Sequence, residues 1–477
     1  MPAPDAQAAN GRAVGADADP AAALIQGLPP ALARPVDELH VAAALESTGV
    51  TDQAALDTYR YDNVFALADA VYQRLPATSG PAVDDEPAAQ ARRGGTVRLL
   101  THGLLYIMPS TVYPAVLVSL GAAAMIRGMV FATTLGWVWG MGMSVVAYQL
   151  VGRGKDRIAG RALRLLGLAG LVTGLSGAAL LAATGPGGAG MVAFAVAQMS
   201  FQLMSGLLVF YGHELRVAVT MLPATVMGIV LLSSHYARAL IVPALAAGGL
   251  SVLFLAVTAW VTSMRAPVRP ESPDKVAARS MITGVAPSVV YAALCAAFLL
   301  LTDSRFLVGE LDLAIAALPL MLGMGMLEWR AYRFTAKVSR LWGRVAVCEE
   351  FGREAWWLLL RELGNCLAVL GALGALLLFV LRETGTLSSR GAMLIDAHVL
   401  LGGAFFLGFV LARYQQFGRL LAIMALVVAA DVSLLPWAGA WLAPDGAVPV
   451  FVCCTAALLT AQLIALRASF RHPYYDR

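Results

Sequence analysis

The sequence predicts an all-α polytopic membrane protein: twelve transmembrane helices arranged as two parallel six-helix bundles, preceded by a small helical module. Three observations carry this. The 477-residue chain is 59% hydrophobic and only 13% charged, with a mean hydropathy of +0.72, which leaves too little polar side-chain surface to cover a soluble core. From about residue 97 to 470, apolar runs of roughly 20 residues recur between short polar breaks, the length a helix needs to cross about 30 Å of hydrocarbon. Two short stretches, Pro109-Ser110-Thr111-Val112-Tyr113 and Pro287-Ser288-Val289-Val290-Tyr291, share the pattern Pro-Ser-x-Val-Tyr 178 positions apart. The same offset carries the basic stretch Gly152-Arg153-Gly154-Lys155-Asp156-Arg157 onto Arg330-Ala331-Tyr332-Arg333, so the membrane part reads as an internal duplication.

Taken in order, residues 1–34 are rich in Ala, Pro, Asp and Gly without periodicity and read as a disordered tail; with no basic segment leading into an apolar one, no cleavable signal peptide is predicted. Residues 35–76 read as a cytoplasmic helical module. Val36, Leu39, Ala43 and Leu45 fall at near-helical spacing before Gly49, Thr51-Asp52 can cap a second helix, and Val64, Phe65, Leu67, Ala68, Val71, Tyr72 and Leu75 form a third amphipathic run. Residues 77–96 are a linker of Pro, Asp, Glu, Arg and Gly. Twelve spans follow, near 98–121, 126–151, 160–184, 188–211, 214–233, 239–264, 279–302, 308–330, 356–381, 393–413, 418–440 and 447–468. They divide into a first bundle (97–266) and a second (279–470). A Pro-rich cytoplasmic linker (267–278) joins the bundles, and a short cytoplasmic tail (471–477) follows. Between the eighth and ninth spans, residues 331–355 mix Phe334, Val338, Leu341, Trp342 and Val345 with Lys337, Arg340 and Arg344, the pattern of an amphipathic helix lying on the inner leaflet.

Charge placement orients the spans. Alternate connections carry basic clusters, such as Arg153, Lys155, Arg157, Arg161 and Arg164, while the opposite ones hold only Arg127, Arg238, Arg305, Arg382 and Arg390. The positive-inside rule then places both termini in the cytoplasm. Only Lys155, Lys275 and Lys337 stand against 31 Arg, a bias read as that of a GC-rich bacterium, so the predicted location is a bacterial inner membrane. The five Cys show no CxxC or metal spacing, and no cofactor, metal or nucleic-acid partner is expected.

Twelve helices as six plus six, with Gly152-Arg153-Gly154-Lys155-Asp156-Arg157-Ile158-Ala159-Gly160-Arg161-Ala162 after the second helix, resemble the multidrug/oligosaccharidyl-lipid/polysaccharide (MOP) flippase superfamily, and within it the polysaccharide-exporter branch. The resemblance implies two helical bundles around a V-shaped cavity that rock between inward-open and outward-open states. It also implies transport of a lipid-linked saccharide or polysaccharide, driven by an ion gradient.

Candidate residues follow from the cost of polar groups at bilayer depth, about 2.5–3.5 kcal/mol for a central charge on insertion scales. Asp431 lies well inside the eleventh span; Asp396 and His398 lie near the outer end of the tenth. These three are the ion-coupling candidates, with a carboxyl hydrogen-bonded between helices and a rim position as the structural alternatives. His102, Tyr106 and Tyr113 recur with Pro109 at three- or four-residue steps along the first helix, a polar-aromatic stripe suited to a cavity or to a packed kink. With Tyr291, Arg127 and Gln149 they make up the substrate-cavity candidates, Tyr113 and Tyr291 being expected to face each other across the cavity. Glu362 and Asn365 share a face of the ninth span as an interfacial pair, and Glu328 with Arg330 is expected to be a solvated helix end.

Three rival functions are weighed against a flippase. A drug/cation antiporter of the same superfamily calls for an acidic cavity in the first bundle, and those spans carry no central Asp or Glu. A membrane glycosyltransferase calls for an acidic residue in the first external loop, expected near Gly121–Arg127, which has none; the chain is therefore not expected to be an enzyme. A scaffold of a polysaccharide-synthesis complex would recruit cytoplasmic or membrane glycosyltransferases through residues 35–76.

Overall fold

The computed structural model describes residues 38–47, 50–74, 103, 105–265, 278–306, 310–342, 348–441 and 446–471. It divides into two compact units, Met1–Arg92 and Arg93–Arg477.

In the first unit, α1 (Glu38–Ser47), α2 (Asp52–Tyr59) and α3 (Val64–Arg74) enclose Val41, Ala42, Leu45, Ala55, Val64, Leu67, Ala68 and Val71. The caps explain its turns. Thr51 Oγ1 accepts from the Ala54 amide (3.3 Å), Asp52 Oδ1 from Val64 (2.8 Å) and Asn63 Oδ1 from Ala66 (2.8 Å), each meeting an amide that a helix start leaves unpaired.

The second unit is a helical membrane assembly. Among the described residues, eleven helices are long and apolar enough to cross a bilayer, and a shorter apolar helix, Leu105–Leu120, precedes them. The shorter one is a 3-10 turn at Met108–Val112 running into α4 (Tyr113–Leu120). The first bundle continues with α5 (Ala122–Gly152), α6 (Asp156–Ala183), α7 (Gly188–Phe210), α8 (Glu214–Ser233) and α9 (Arg238–Arg265). The second comprises α10 (Ala278–Asp303), the short α11 (Leu311–Ala314), α12 (Leu318–Trp342), α13 (Cys348–Glu383), α14 (Ser389–Arg413), α15 (Phe417–Trp441) and α16 (Ala447–Arg471). Each bundle has its own apolar core. The centre of the second is α14, 78% buried across its apolar stretch where the other spans reach 17–50%.

Local chemistry accounts for the breaks. Gly121, at φ +78°, is the whole connection between α4 and α5, a backbone that side chains disfavour; the expected external loop Gly121–Arg127 is therefore mostly helix. Pro223 lies inside the continuous α8, and the next amide, that of Ala224, donates to Ser251 Oγ of α9 at 3.2 Å, so a polar side chain meets a backbone group beside the proline. Ser388 caps α14, and buried Asp312 accepts from its amide (2.8 Å) and its hydroxyl (2.6 Å).

Two expectations are corrected. The region 331–355 holds no separate surface helix: α12 runs unbroken to Trp342, because Ala331, Phe334 and Val338 continue the buried face of the span, and α13 begins at Cys348; 343–347 lie outside the described residues. Nor do Tyr113 and Tyr291 face each other. Tyr113 is half-buried against the first bundle's core, edge-on to Phe194 with ring centroids 5.9 Å apart, and Tyr291 is buried in the second.

The bundles meet along a seam between α5 and α10. A Cβ at Gly142 would lie 3.2 Å from Val289, a Cβ at Gly284 would strike the Gln149 amide, and Arg153 donates to the Met281 sulfur at 3.1 Å. Trp137 of α5 packs on the second bundle's core. The duplicated counterpart of this seam is the first helix against α12, where a Cβ at Gly103 would strike the Leu322 carbonyl and Tyr106 lies within electrostatic reach of Glu328.

Candidate functional site

The second bundle encloses a set of polar side chains that packing alone does not explain. Asp303 ends α10 and points at His398 of α14, with Oδ2 3.2 Å from Nε2. The other ring nitrogen, Nδ1, lies 2.8 Å from the Leu394 carbonyl. A carbonyl only accepts, so Nδ1 carries a proton and donates. The Nε2–Oδ2 contact then holds a single proton, on either the imidazole or the carboxyl. His398 is fully buried, and its ring lies 5.5 Å from that of Phe451, which stacks on Phe298 at 5.1 Å. An apolar wall of this kind excludes the water that would otherwise stabilise either charge.

Asp431 of α15 is also fully buried, and among the described residues neither carboxyl oxygen has a hydrogen-bond partner. It lies near Cys454 of α16 and within electrostatic reach of Arg305. Further along the bundle, Thr455 Oγ1 and both amide atoms of Gln462 are buried without a hydrogen-bond partner among the described residues, and the buried Tyr291 hydroxyl has the Cys295 thiol beside it. Tyr291 and Gln462 converge on Gly408 of α14, where an added Cβ would lie 2.4 Å from the hydroxyl and 3.6 Å from Nε2. Buried polar atoms are nearly always paired, so this set stands out as the candidate site.

The other predicted residues divide by location. His102 lies outside the described residues. Tyr106 is 46% exposed. Gln149 stands at the seam, its Oε1 buried without a hydrogen-bond partner among the described residues. Arg127 donates from Nη2 to the Leu181 carbonyl (3.1 Å) and Thr184 Oγ1 (3.4 Å), capping the C-terminus of α6, which is where the helix dipole favours a cation. Asp396 sits on the exposed side of α14, away from His398.

Sequence reasoning missed two groupings. Asp303 was not paired with His398. Glu362, 1% exposed on α13, is bound by two cations of α12: Arg330 Nη1 at 2.8 Å and Lys337 Nζ at 2.5 Å. Arg330 and Lys337 are seven apart, two helical turns and so one face; that spacing was a readable signal.

No family model matches the chain, and a search of curated proteins finds no match. Solved structures do. An outward-facing multidrug resistance MATE family transporter of the MOP superfamily aligns over 80% of this chain and 96% of its own, at 15% identity and a TM-score of 0.55. A MATE in complex with MaD5 aligns over 79% and 95%, at 16% identity and a TM-score of 0.52. A MOP superfamily transporter from Pyrococcus furiosus, whose binding pocket is described as having reverse polarity, aligns over 79% and 96%, at 14% identity and a TM-score of 0.51. This is a multi-pass membrane protein with the fold of MATE transporters of the MOP superfamily.

Proposed function

We propose that this chain is a flippase-like transporter that moves a lipid-linked saccharide or polysaccharide across a bacterial inner membrane by alternating access, with both termini cytoplasmic. Asp431 carries the reading: a fully buried carboxyl whose two oxygens lack partners among the described residues. An uncompensated charge there costs several kcal/mol, so the group is a switch between a neutral and an ion-bound form. The Asp303–His398 pair supplies a second proton position. The mechanical link is α10, which carries Asp303 at one end and the seam residues Met281, Gly284 and Val289 towards the other. In this reading α10 couples the buried Asp303–His398 pair to the seam between the bundles.

The first bundle favours a neutral or anionic amphiphile over a cationic drug. From Leu105 to Arg265 its only acidic residues are Asp156 and Glu214, each at a helix start. A drug/cation antiporter is the second reading, favoured by Asp431, which can exchange a cation for a proton. A third is a scaffold that binds glycosyltransferases, for which the self-contained unit around α1–α3 offers exposed Leu39, Leu56 and Phe65.

The test is transport into proteoliposomes under an imposed pH gradient. Wild type should accelerate the crossing of a fluorescent lipid-linked oligosaccharide, and Asp431→Asn should remove the gradient dependence without lowering the melting temperature. Gradient dependence surviving in the mutant removes Asp431 as the coupling site. Extrusion of a cationic dye in place of the lipid would establish the antiporter; no flux of either, with glycosyltransferases retained on residues 35–76, would establish the scaffold.

A further inference from the structure

At the end of the second bundle that charge alternation assigns to the cytoplasm, α12 and α13 frame a pocket of about 570 Å³ lined by Lys337, Arg340, Arg361, Glu354, Trp357 and Leu358. Its charges are unevenly committed. Lys337 is held by Glu362, itself shared with Arg330, whereas Arg340 and Arg361 are exposed and make no ion pair among the described residues. Arg353, one turn before Trp357 on α13, is by contrast paired with Glu350. The lining carries three cations against one carboxylate, so it remains cationic with Glu354 included. Beside the cations stands Trp357, 66% exposed, with Leu358 next to it. An exposed indole next to guanidinium groups, where an apolar span gives way to charge, is the chemistry of the membrane–water boundary, and basic pockets between helices at that level suit phosphate headgroups.

We propose that this pocket is a binding site for an anionic glycerophospholipid of the bilayer. The phosphodiester lies between Arg340 and Arg361, whose forked donors match its oxygens. Lys337 adds a fixed charge, Glu354 accepts from a headgroup hydroxyl, and an acyl chain runs past Trp357. The site is separate from the buried polar set and does not depend on what the protein transports. An occupied site ties α12 to α13 from outside, where the Glu362 pair ties them from within.

The experiment reconstitutes the full-length protein in nanodiscs of phosphatidylcholine containing phosphatidylglycerol and counts retained lipid by native mass spectrometry. Wild type should retain phosphatidylglycerol over phosphatidylcholine. Arg340→Gln with Arg361→Gln should weaken that retention on the order of thirtyfold, given the worth of a basic residue at an anionic surface. Arg353→Gln, outside the pocket, should leave it unchanged. Circular dichroism melting checks that the double variant is folded. Equal retention of both lipids, or a double variant that retains phosphatidylglycerol like wild type, overturns the proposal. So does a polyprenyl phosphate that displaces phosphatidylglycerol at equal concentration, which would make this a substrate entry site. Displacement by millimolar inorganic phosphate would reduce it to a generic anion site.

Discussion

Glu362 ties α13 to two cations of α12. One carboxylate oxygen takes Arg330 and the other Lys337, and the two cations are 19% and 28% exposed against 2% for the carboxylate side chain. Breaking a buried pair leaves the partner charges uncompensated, at 3–5 kcal/mol when both are fully buried. Partial exposure of the cations lowers that, so Glu362→Gln should cost about 2 kcal/mol. Lys337→Met should cost less, because Arg330 still occupies Oε2. Chemical unfolding in detergent measures both, and a Glu362→Gln protein as stable as wild type would refute the account. Single residues were legible to the extent that their oddity is local: Asp431 and His398 stand out as ionisable groups in apolar runs, without any knowledge of what they touch. Asp303 and Glu362 depend on partners 95 and 25–32 positions away, and helix packing decides those pairings.

At the scale of the element, the first helix and its duplicate show how one motif is used twice. Pro287 is accommodated inside the continuous α10, whereas Pro109 opens a 3-10 segment in which Ser110 and Thr111 donate back to the carbonyls of Ile107 and Met108 at 2.8 Å each. That segment is wedged against α8: a Cβ at Gly228 would lie 2.4 Å from the Thr111 carbonyl oxygen, a backbone atom that no rotamer can move aside. Gly228→Ala should therefore destabilise the fold by about 1–3 kcal/mol, as overpacking does. Gly249→Ala, where nothing lies within 4 Å, should be neutral or slightly stabilising, since alanine favours a helix. Equal melting temperatures for the two variants would show that the wedge carries no weight. The same five-residue pattern therefore gives a 3-10 segment in the first half and continuous α-helix in the second, since the neighbours rather than the five residues decide the outcome. The stretch 331–355 teaches the same: its mixed pattern fits a helix on a membrane as well as one packed on α13, and the burial of Ala331, Phe334 and Val338 with the Lys337–Glu362 pair decides for packing.

At the scale of the molecule, the two-fold duplication was legible because it repeats in the sequence, with spacing and charge placement both conserved across the offset of 178 positions. What no repeat discloses is where the halves touch. They do so where α5 and α10 exchange small residues, Gly142 against Val289 and Gly284 against Gln149, with Arg153 reaching Met281 at the end assigned to the cytoplasm. Small residues let helices approach closely in a membrane, where no hydrophobic force drives them together. They also leave little to break when the helices part, since a glycine contact gives up only modest dispersion energy. A seam of this kind suits a reversible closure, and the proposed alternating access would require it to open and close in each cycle. Cysteines at Gly142 and Val289, introduced into a chain whose own cysteines are replaced, should cross-link under mild oxidation. The cross-linked protein should lose gradient-driven transport by at least tenfold and recover it on reduction, while either single variant transports normally. Transport that continues unchanged in the fully cross-linked protein would show that the bundles do not separate along this line, and the rocking mechanism would have to be sought at the first helix and α12 instead.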